Sequence, residues 1–356
     1  MTLLETPTQK DDLESVLDQA RRRIEVRDEE LLEARKRRDA VAASLRAEFA
    51  GSRTYVNGSI AHGDALTPLT DVDLGVVVPD PDHIYGPYKT GPSVLQERAA
   101  AATRRDLKEA YGDIAVELKG RKRSILVRFR DPVTPGQPDF TADVIVAIDN
   151  PAGAGLFIPR FNGWDRSDPE THTRLVRAAV KGTNTSYARV VRLVKHWNRT
   201  HDKPLCSWNI KALALGCITS PVELIEGLRI WFEYAADELN LGETEDPAGV
   251  APHPIKISEK WNRTEVVREL RRALQILKFA IQLESDGYEL LAQDELAKLF
   301  KDESMLPHPP QAAVRLEQAR RTMAERHGQS KQFGAPALIT STASPRDRVN
   351  AQSWSA

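Results

Sequence analysis

The feature that most restricts this chain is the stretch 54–78, TYVNGSIAHGDALTPLTDVDLGVVV. A β-branched and aromatic run leads into Gly58-Ser59, a polar turn-rich connection follows, and Asp71-Val72-Asp73 opens the apolar run of residues 74–78. Strand alternation puts Asp71 and Asp73 on one face, with Val72 and Leu74 on the other. Two carboxylates that close repel each other, and they coexist when a divalent cation or a proton sits between them. An isolated D-x-D is commonly just the polar face of an edge strand. Gly58-Ser59 changes the balance, because a strand ending in Gly-Ser can offer backbone N–H groups and a hydroxyl to a phosphate. One half of the stretch would then grip a triphosphate while the other holds its metal.

Gly-Ser followed after eleven residues by Asp-Val-Asp resembles the nucleotidyltransferase superfamily that includes DNA polymerase β. The resemblance implies a third carboxylate on a neighbouring strand. Residues 123–130 (RSILVRFR) read as a strand, and after DPVTPGQP comes a second, residues 139–149 (DFTADVIVAID). The two form a hairpin beside the D-x-D strand. Asp143, immediately before Val144-Ile145-Val146, is the natural third ligand, whereas Asp139 and Asp149 read as loop or strand-end residues.

With 356 residues, 41% hydrophobic and 28% charged, the chain can bury a substantial core as two domains or one large one. Fifty Lys and Arg against 51 Asp and Glu leave a net charge of −1, which argues against a broad basic nucleic-acid-binding face. Cys206 and Cys217 are the only cysteines. They read as buried thiols and allow neither a disulfide framework nor a Cys-rich zinc module. There is no apolar signal region and no long uncharged apolar run, so a soluble, cytoplasmic protein without membrane contact is expected.

Around the acidic stretch the periodicities predict mostly helix. Residues 8–49 read as one long helix, started by Thr8, Asp11 and Asp12 and carrying Leu13, Val16, Leu17, Ala20, Ile24, Leu31, Leu32, Val41 and Leu45 at helical spacing. Its basic runs, Arg21-Arg22-Arg23 and Arg35-Lys36-Arg37-Arg38, read as a solvated face paired with the interleaved glutamates. Residues 79–93 read as a rim loop, and 94–111 as a helix stopped by Gly112. The basic turn from Lys119 to Arg123 is either a solubilising turn or an attraction for a nucleotide or nucleic acid. From residue 151, Gly153, Gly155, Pro159, Gly163 and Pro169 suggest an irregular link. Helices follow over 187–200, from near Ser207, and over 223–239, 264–283 and 290–300.

The segment 188–215, ARVVRLVKHWNRTHDKPLCSWNIKALAL, is similar to the helical half of cyclic GMP-AMP synthase, oligoadenylate synthase and their bacterial relatives, the CD-NTases. Read alone, Lys195 is an exposed helix cation, Ser207 an N-cap and Trp208 a core aromatic. The resemblance implies that Lys195 and Ser207 join Gly58 and Ser59 in holding the triphosphate, and that Trp208 stacks on a base. It also implies an α+β fold: a polymerase β-like nucleotidyltransferase sheet with a long N-terminal helix (residues 8–150), packed against a C-terminal helical domain (165–310). Gly63-Asp64 departs from the Gly-Thr often found after the Gly-Ser turn. The His/Cys zinc insertion of DNA-sensing relatives cannot be built from this sequence.

The activity implied is pyrophosphate-releasing nucleotidyl transfer from NTP substrates, with Asp71, Asp73 and Asp143 holding two Mg²⁺ ions, or Mn²⁺ in their place. The product implied is a cyclic di- or trinucleotide second messenger that a downstream effector reads in antiphage signalling. A transferase acting on a tRNA, protein or small-molecule acceptor would use the same triad, and a nucleotide-binding protein without catalysis is the reading from another class. Residues 330–356 have too little apolar surface to offset ordering and read as a flexible tail. Some bacterial CD-NTases are joined through their C-terminal carboxyl group to a target by a ubiquitin-transfer-like enzyme, and Ala356 after Ser355 suits such a conjugation.

Overall fold

The computed structural model describes residues 12–87, 89–118, 123–161 and 163–326. The chain begins with two helices, α1 (Leu13–Arg23) and α2 (Asp28–Glu48), then β1 (Arg53–Asn57), a single-turn α3 (Gly58–His62) and β2 (Asp71–Val78). Next come α4 (Pro92–Tyr111), β3 (Ala115–Glu117), β4 (Ile125–Arg128), β5 (Thr141–Asp149), β6 (Leu156–Arg160) and β7 (Gly163–Ser167). The rest is helical: α5 (Pro169–Gly182), α6 (Ser186–Thr200), α7 (Ser207–Cys217), α8 (Leu224–Leu241), α9 (Arg263–Ser285), α10 (Glu289–Phe300) and α11 (Gln311–Arg326). The expected α+β architecture is present.

The sheet runs β1-β2-β5-β4-β3, with β6 on β5 and β7 on β6. β2 and β5 are parallel, β1 is antiparallel to β2, and β4 is antiparallel to β5. Alternation divides the duties of the two central strands. Val72, Leu74, Val76 and Val78, with Ala142, Val144, Val146 and Ile148, face one side and bury themselves with Ala34, Val41 and Leu45 of α2 and Leu95 and Ala99 of α4. On the opposite face Val77 and Ala147 form a small cluster with Tyr55, Leu156 and Ile158. Asp71, Asp73 and Asp143 alternate onto that second face.

Of the single helix expected over 8–49, residues 8–11, with Thr8 and Asp11, lie outside the described residues, and the rest is two helices, broken at Ile24 to Arg27. No Gly or Pro marks the break. Tertiary pairing makes it: Glu25 forms a bridge with Leu66, and the Thr67 N–H donates to the Ile24 carbonyl at 3.0 Å. Beyond the break the Glu30 carboxylate accepts the Arg27 N–H at 3.2 Å and starts α2. The first half also packs away from the sheet. Leu13, Leu17, Ala20 and Ile24 belong to the core of the helical layer, and Glu14 accepts the Leu224 and Ile225 N–H groups at 2.7 and 2.9 Å, closing the start of α8.

The basic runs are not wholly solvated. Arg21 is buried against Asp18 and Glu25. Arg37 is buried too, paired with Glu33 and Asp131 at 2.8 Å and lying over the Phe129 and Phe140 rings. The irregular link after residue 151 is the β6–β7 hairpin, which carries the sheet on to Ser167 because Leu156 and Ile158 have apolar partners on its second face. A further helix, α11, lies beyond the last one expected, and its Glu317 accepts the Leu291 N–H at 2.8 Å. Residues 119–122 of the basic turn and the tail 330–356, with Ser355 and Ala356, lie outside the described residues.

Candidate active site

The parallel register of β2 and β5 sets Asp73 level with Asp143, and Asp71 level with Thr141. β1 holds the other flank, with Asn57 opposite Asp73. Gly58-Ser59 therefore does not end a strand but opens α3, at the rim of the acidic face. Gly58 has φ +76°, and a Cβ there would stand 1.7 Å from Asp73 Oδ2, so its bare backbone lies directly against that carboxylate. Asp143 Oδ1 accepts the Ser124 hydroxyl at 3.2 Å.

Charge is crowded here. Burial, followed by the neighbouring Asp71 and Asp143, pushes the Asp73 carboxyl up to about 6. Asp71 keeps an exposed side, but the surrounding cleft walls thin its hydration. Its pKa is raised chiefly by that desolvation, with Asp143 adding to it and Lys195 opposing it. Among the described residues no three His, Cys, Asp or Glu side chains are closed around a common point as a finished metal cage. The donor set nonetheless fits a hard divalent cation: three carboxylates on one face of adjacent strands, two of them held above their ordinary pKa first by burial and then by the charge of neighbouring carboxylates, and a bound cation would offset both.

A cavity of about 520 Å³ lies over this face. It brings together Gly58, Ser59, Asp71 and Asp73 from the sheet side with Lys195, Ser207 and Trp208 from the helices. Asp143 is not in its lining; it sits on the neighbouring strand with its carboxylate toward Ser124. A second cavity, about 600 Å³, opens among Trp197, His201, Arg272 and Lys298 and contains none of the expected residues.

Lys195 is not the exposed cation that its helix alone suggests. Its Nζ donates to Asp64 Oδ1 at 2.6 Å and to the Asp64 carbonyl at 2.8 Å. Lys211 Nζ stands 3.0 Å from the other Asp64 oxygen and donates to His62 Nδ1 at 2.8 Å. Burial pushes the Asp64 carboxyl up, but Lys211 and Lys195 together outweigh it and hold the group at about 2. Burial and then the Lys211 charge lower His62 to about 3, so it is neutral at physiological pH, accepting at Nδ1 and meeting Thr173 Oγ1 through Nε2 at 3.1 Å. Ser207 stands exposed on the first turn of α7, and the cap itself is Cys206, whose Sγ accepts the Asn209 N–H at 3.3 Å. Trp208 is half-buried, its ring 4.3 Å from that of His172. His172 in turn meets Asp246 at 2.6 Å, and Asp246 accepts the Val250 and Ala251 N–H groups.

Sequence reasoning missed His62, Asp64, His172, Arg199 and Lys211, all of them in the cavity lining or bonded to it. Lys211 left one readable signal. It lies four residues after Ser207 and therefore on the same face of α7. Arg199 left the same one, four residues after Lys195 on α6, while His62, Asp64 and His172 depend on contacts between distant segments.

An acidic sheet face opposite a cationic and aromatic helical wall, in this strand order, defines the fold of a polymerase β-like nucleotidyltransferase. More particularly, the chain is similar to solved bacterial CD-NTases. CdnC of Escherichia coli MS115-1, solved with ATP, superposes with a TM-score of 0.62 over 83% of this chain and 99% of that one, at 16% identity. The STING-associated CdnE c-di-GMP synthase of Capnocytophaga granulosa gives 0.57 over 78% and 89%, also at 16% identity. The GTP-bound form of Vibrio cholerae DncV gives 0.55 over 84% and 80%, at 18% identity. No family sequence model and no curated protein sequence matches the chain.

Proposed function

We propose that this protein is a metal-dependent nucleotidyltransferase that joins NTPs into a cyclic di- or trinucleotide and releases pyrophosphate. The observation that carries this reading is the single cavity that gathers Asp71 and Asp73, beside Asp143, with Gly58-Ser59, Lys195, Ser207 and Trp208. Support comes from structures of the same fold: CdnC with ATP, DncV with GTP, and DncV, a cyclic AMP-GMP synthase, with a linear pppA(3′,5′)pG intermediate.

In this reading Asp71, Asp73 and Asp143 are the residues that would hold two Mg²⁺ ions, or Mn²⁺ in their place. The chemistry such ions supply when bound is a lowered pKa for an attacking ribose hydroxyl and compensation of the charge on the leaving pyrophosphate. The chain's own groups bind and orient. Gly58 and Ser59 receive the β and γ phosphates at the sheet side, Lys195 and Ser207 meet them from the helical side, and Trp208, backed by His172, offers a π surface to a base. A role in antiphage signalling, with an effector reading the product in the cytoplasm, follows the resemblance to bacterial CD-NTases. So does conjugation of the C-terminus, and deleting residues 354–356 while assaying conjugates in cells tests that part. Among the described residues no helix is long and apolar enough to cross a membrane.

The deciding experiment incubates the purified protein with all four NTPs and a divalent cation and analyses the products by mass spectrometry. A cyclic oligonucleotide made without any other acceptor is the expected result. Transfer that occurs only when tRNA, protein or a small molecule is added assigns the triad to an acceptor-modifying enzyme. Binding without pyrophosphate release leaves a nucleotide-binding protein.

A further inference from the structure

Beneath the cavity lies a buried charged cluster to which the functional reading gives no role beyond Lys195. Asp64 is 0% exposed, enclosed just after α3, and its two carboxylate oxygens face two ammonium groups. Lys195 arrives from α6 and Lys211 from α7, and the side chain of each is nearly buried. A lysine ammonium has three N–H donors and no acceptor. Lys195 places two of them on Asp64, one to Oδ1 and one to the carbonyl oxygen. Lys211 places one on His62 Nδ1 and stands 3.0 Å from Asp64 Oδ2 as an ion pair. At least one donor remains on each, and both lysines line the cavity that also contains Asp71 and Asp73.

Two ammonium groups this close would repel and swing apart without an anion between them. Asp64 supplies that anion, leaves the trio with a net charge of +1, and removes rotamer freedom that ligand binding would otherwise have to quench. Cations fixed before the ligand arrives stabilise an incoming anion without reorganising. We propose that Asp64 is a positioning residue for nucleotide binding, locking Lys195 and Lys211 as a pre-oriented cation pair whose remaining N–H groups serve the triphosphate of the NTP. This deepens the nucleotidyltransferase reading and rests on it. Asp64 itself touches no phosphate; it acts through the two lysines.

The test measures equilibrium binding with Mg²⁺ of each α,β-methylene NTP analogue, which carries a triphosphate but resists transfer, and of the matching nucleoside monophosphate. Asp64→Asn keeps the side chain's shape and removes its charge. It is expected to weaken binding of the triphosphate analogue at least tenfold while changing monophosphate binding less than twofold. A merely structural role would shift both ligands together, and that result overturns the proposal. Asp64→Asn leaves Lys211 buried without its counter-charge and can fail to fold, so Asp64→Asn/Lys211→Met, which keeps the cluster's net charge, is measured beside it. The double variant is expected to stay at least tenfold weaker for the triphosphate, because Lys195 has lost its charged anchor, keeping only neutral oxygens at residue 64, and the second cation is gone. Wild-type affinity in the double variant overturns the proposal. Wild-type protein that binds none of the analogues overturns the functional reading as well, whereas binding by the wild type that Asp64→Asn leaves unchanged overturns the Asp64 assignment alone.

Discussion

Gly58 and Asp73 show how tightly single residues are specified at this site. The backbone of one occupies the space beside the carboxylate of the other, and any side chain at position 58 would have to displace it. Gly58→Ala also asks alanine to adopt φ +76°, a region costing L-residues about 1–2 kcal/mol, so denaturant titration should show at least that loss together with lost turnover. Asp73 carries the opposite signature. Burial and the neighbouring carboxylates raise its folded-state pKa to about 6, above the roughly 3.9 of an unfolded aspartate, so between those values the folded protein holds more protons than the unfolded chain and stability falls as pH rises. Above pH 6 the ionised group is a full burden, worth at most about 3 kcal/mol at 1.36 kcal/mol per pKa unit. Asp73→Asn should therefore abolish turnover yet raise Tm at pH 7.5, and the gain should vanish below about pH 4. Mg²⁺ should raise the Tm of the wild type and not that of the variant. Turnover retained within a few-fold would falsify the ligand assignment. Trp208→Ala should weaken nucleotide binding by about 1–3 kcal/mol if a base stacks there; a loss of thermal stability with unchanged affinity would return Trp208 to the core.

At the scale of elements, α1 is the piece whose neighbours decide its role. Its apolar side, Leu13, Leu17, Ala20 and Ile24, lies with α6, α8 and α10. Its polar residue Glu14 closes the start of α8, while Glu284 of α9 accepts the Leu13 N–H at 2.6 Å. Leu17 is fully buried, so Leu17→Ala should cost about 2–5 kcal/mol, the range for a truncated core leucine. Native-state hydrogen exchange should show the loosening first in α8 and α10, with α2 still protected. If α2 loses protection together with α8, the two halves of the N-terminal region are one cooperative unit. The charge order was readable: basic Arg21-Arg22-Arg23 followed by acidic Asp28-Glu29-Glu30 is the pattern of one helix ending and another beginning. Continuous apolar spacing across residue 24 masked it.

For the whole molecule, the cavity lies between the sheet and the helical layer, and each supplies part of what the proposed ligand needs. A nucleotide bound there with its metal ties β2 to α6 and α7. Ligand at 100 times its Kd should add about 2.7 kcal/mol of stability. Slowed amide exchange is expected in both the residue 71–78 strand and the residue 207–217 helix; protection confined to one layer would place the ligand elsewhere. The sequence by itself determined whatever depends on neighbours along the chain. Alternation set Asp71 and Asp73 on one face, the Pro/Gly connection turned β4 back against β5 with Asp143 near its start, helical patterns marked α4, α6 and α8 to α10, and Ser207 marked the start of α7. Tertiary structure alone decided the rest. Lys195 meets Asp64 across 131 positions, Lys211 meets His62 across 149, and the turn of backbone at Ile24 answers to Thr67. A buried ion cluster has no local period, because the favourable energy of each charge comes from a partner that only the folded chain brings within reach.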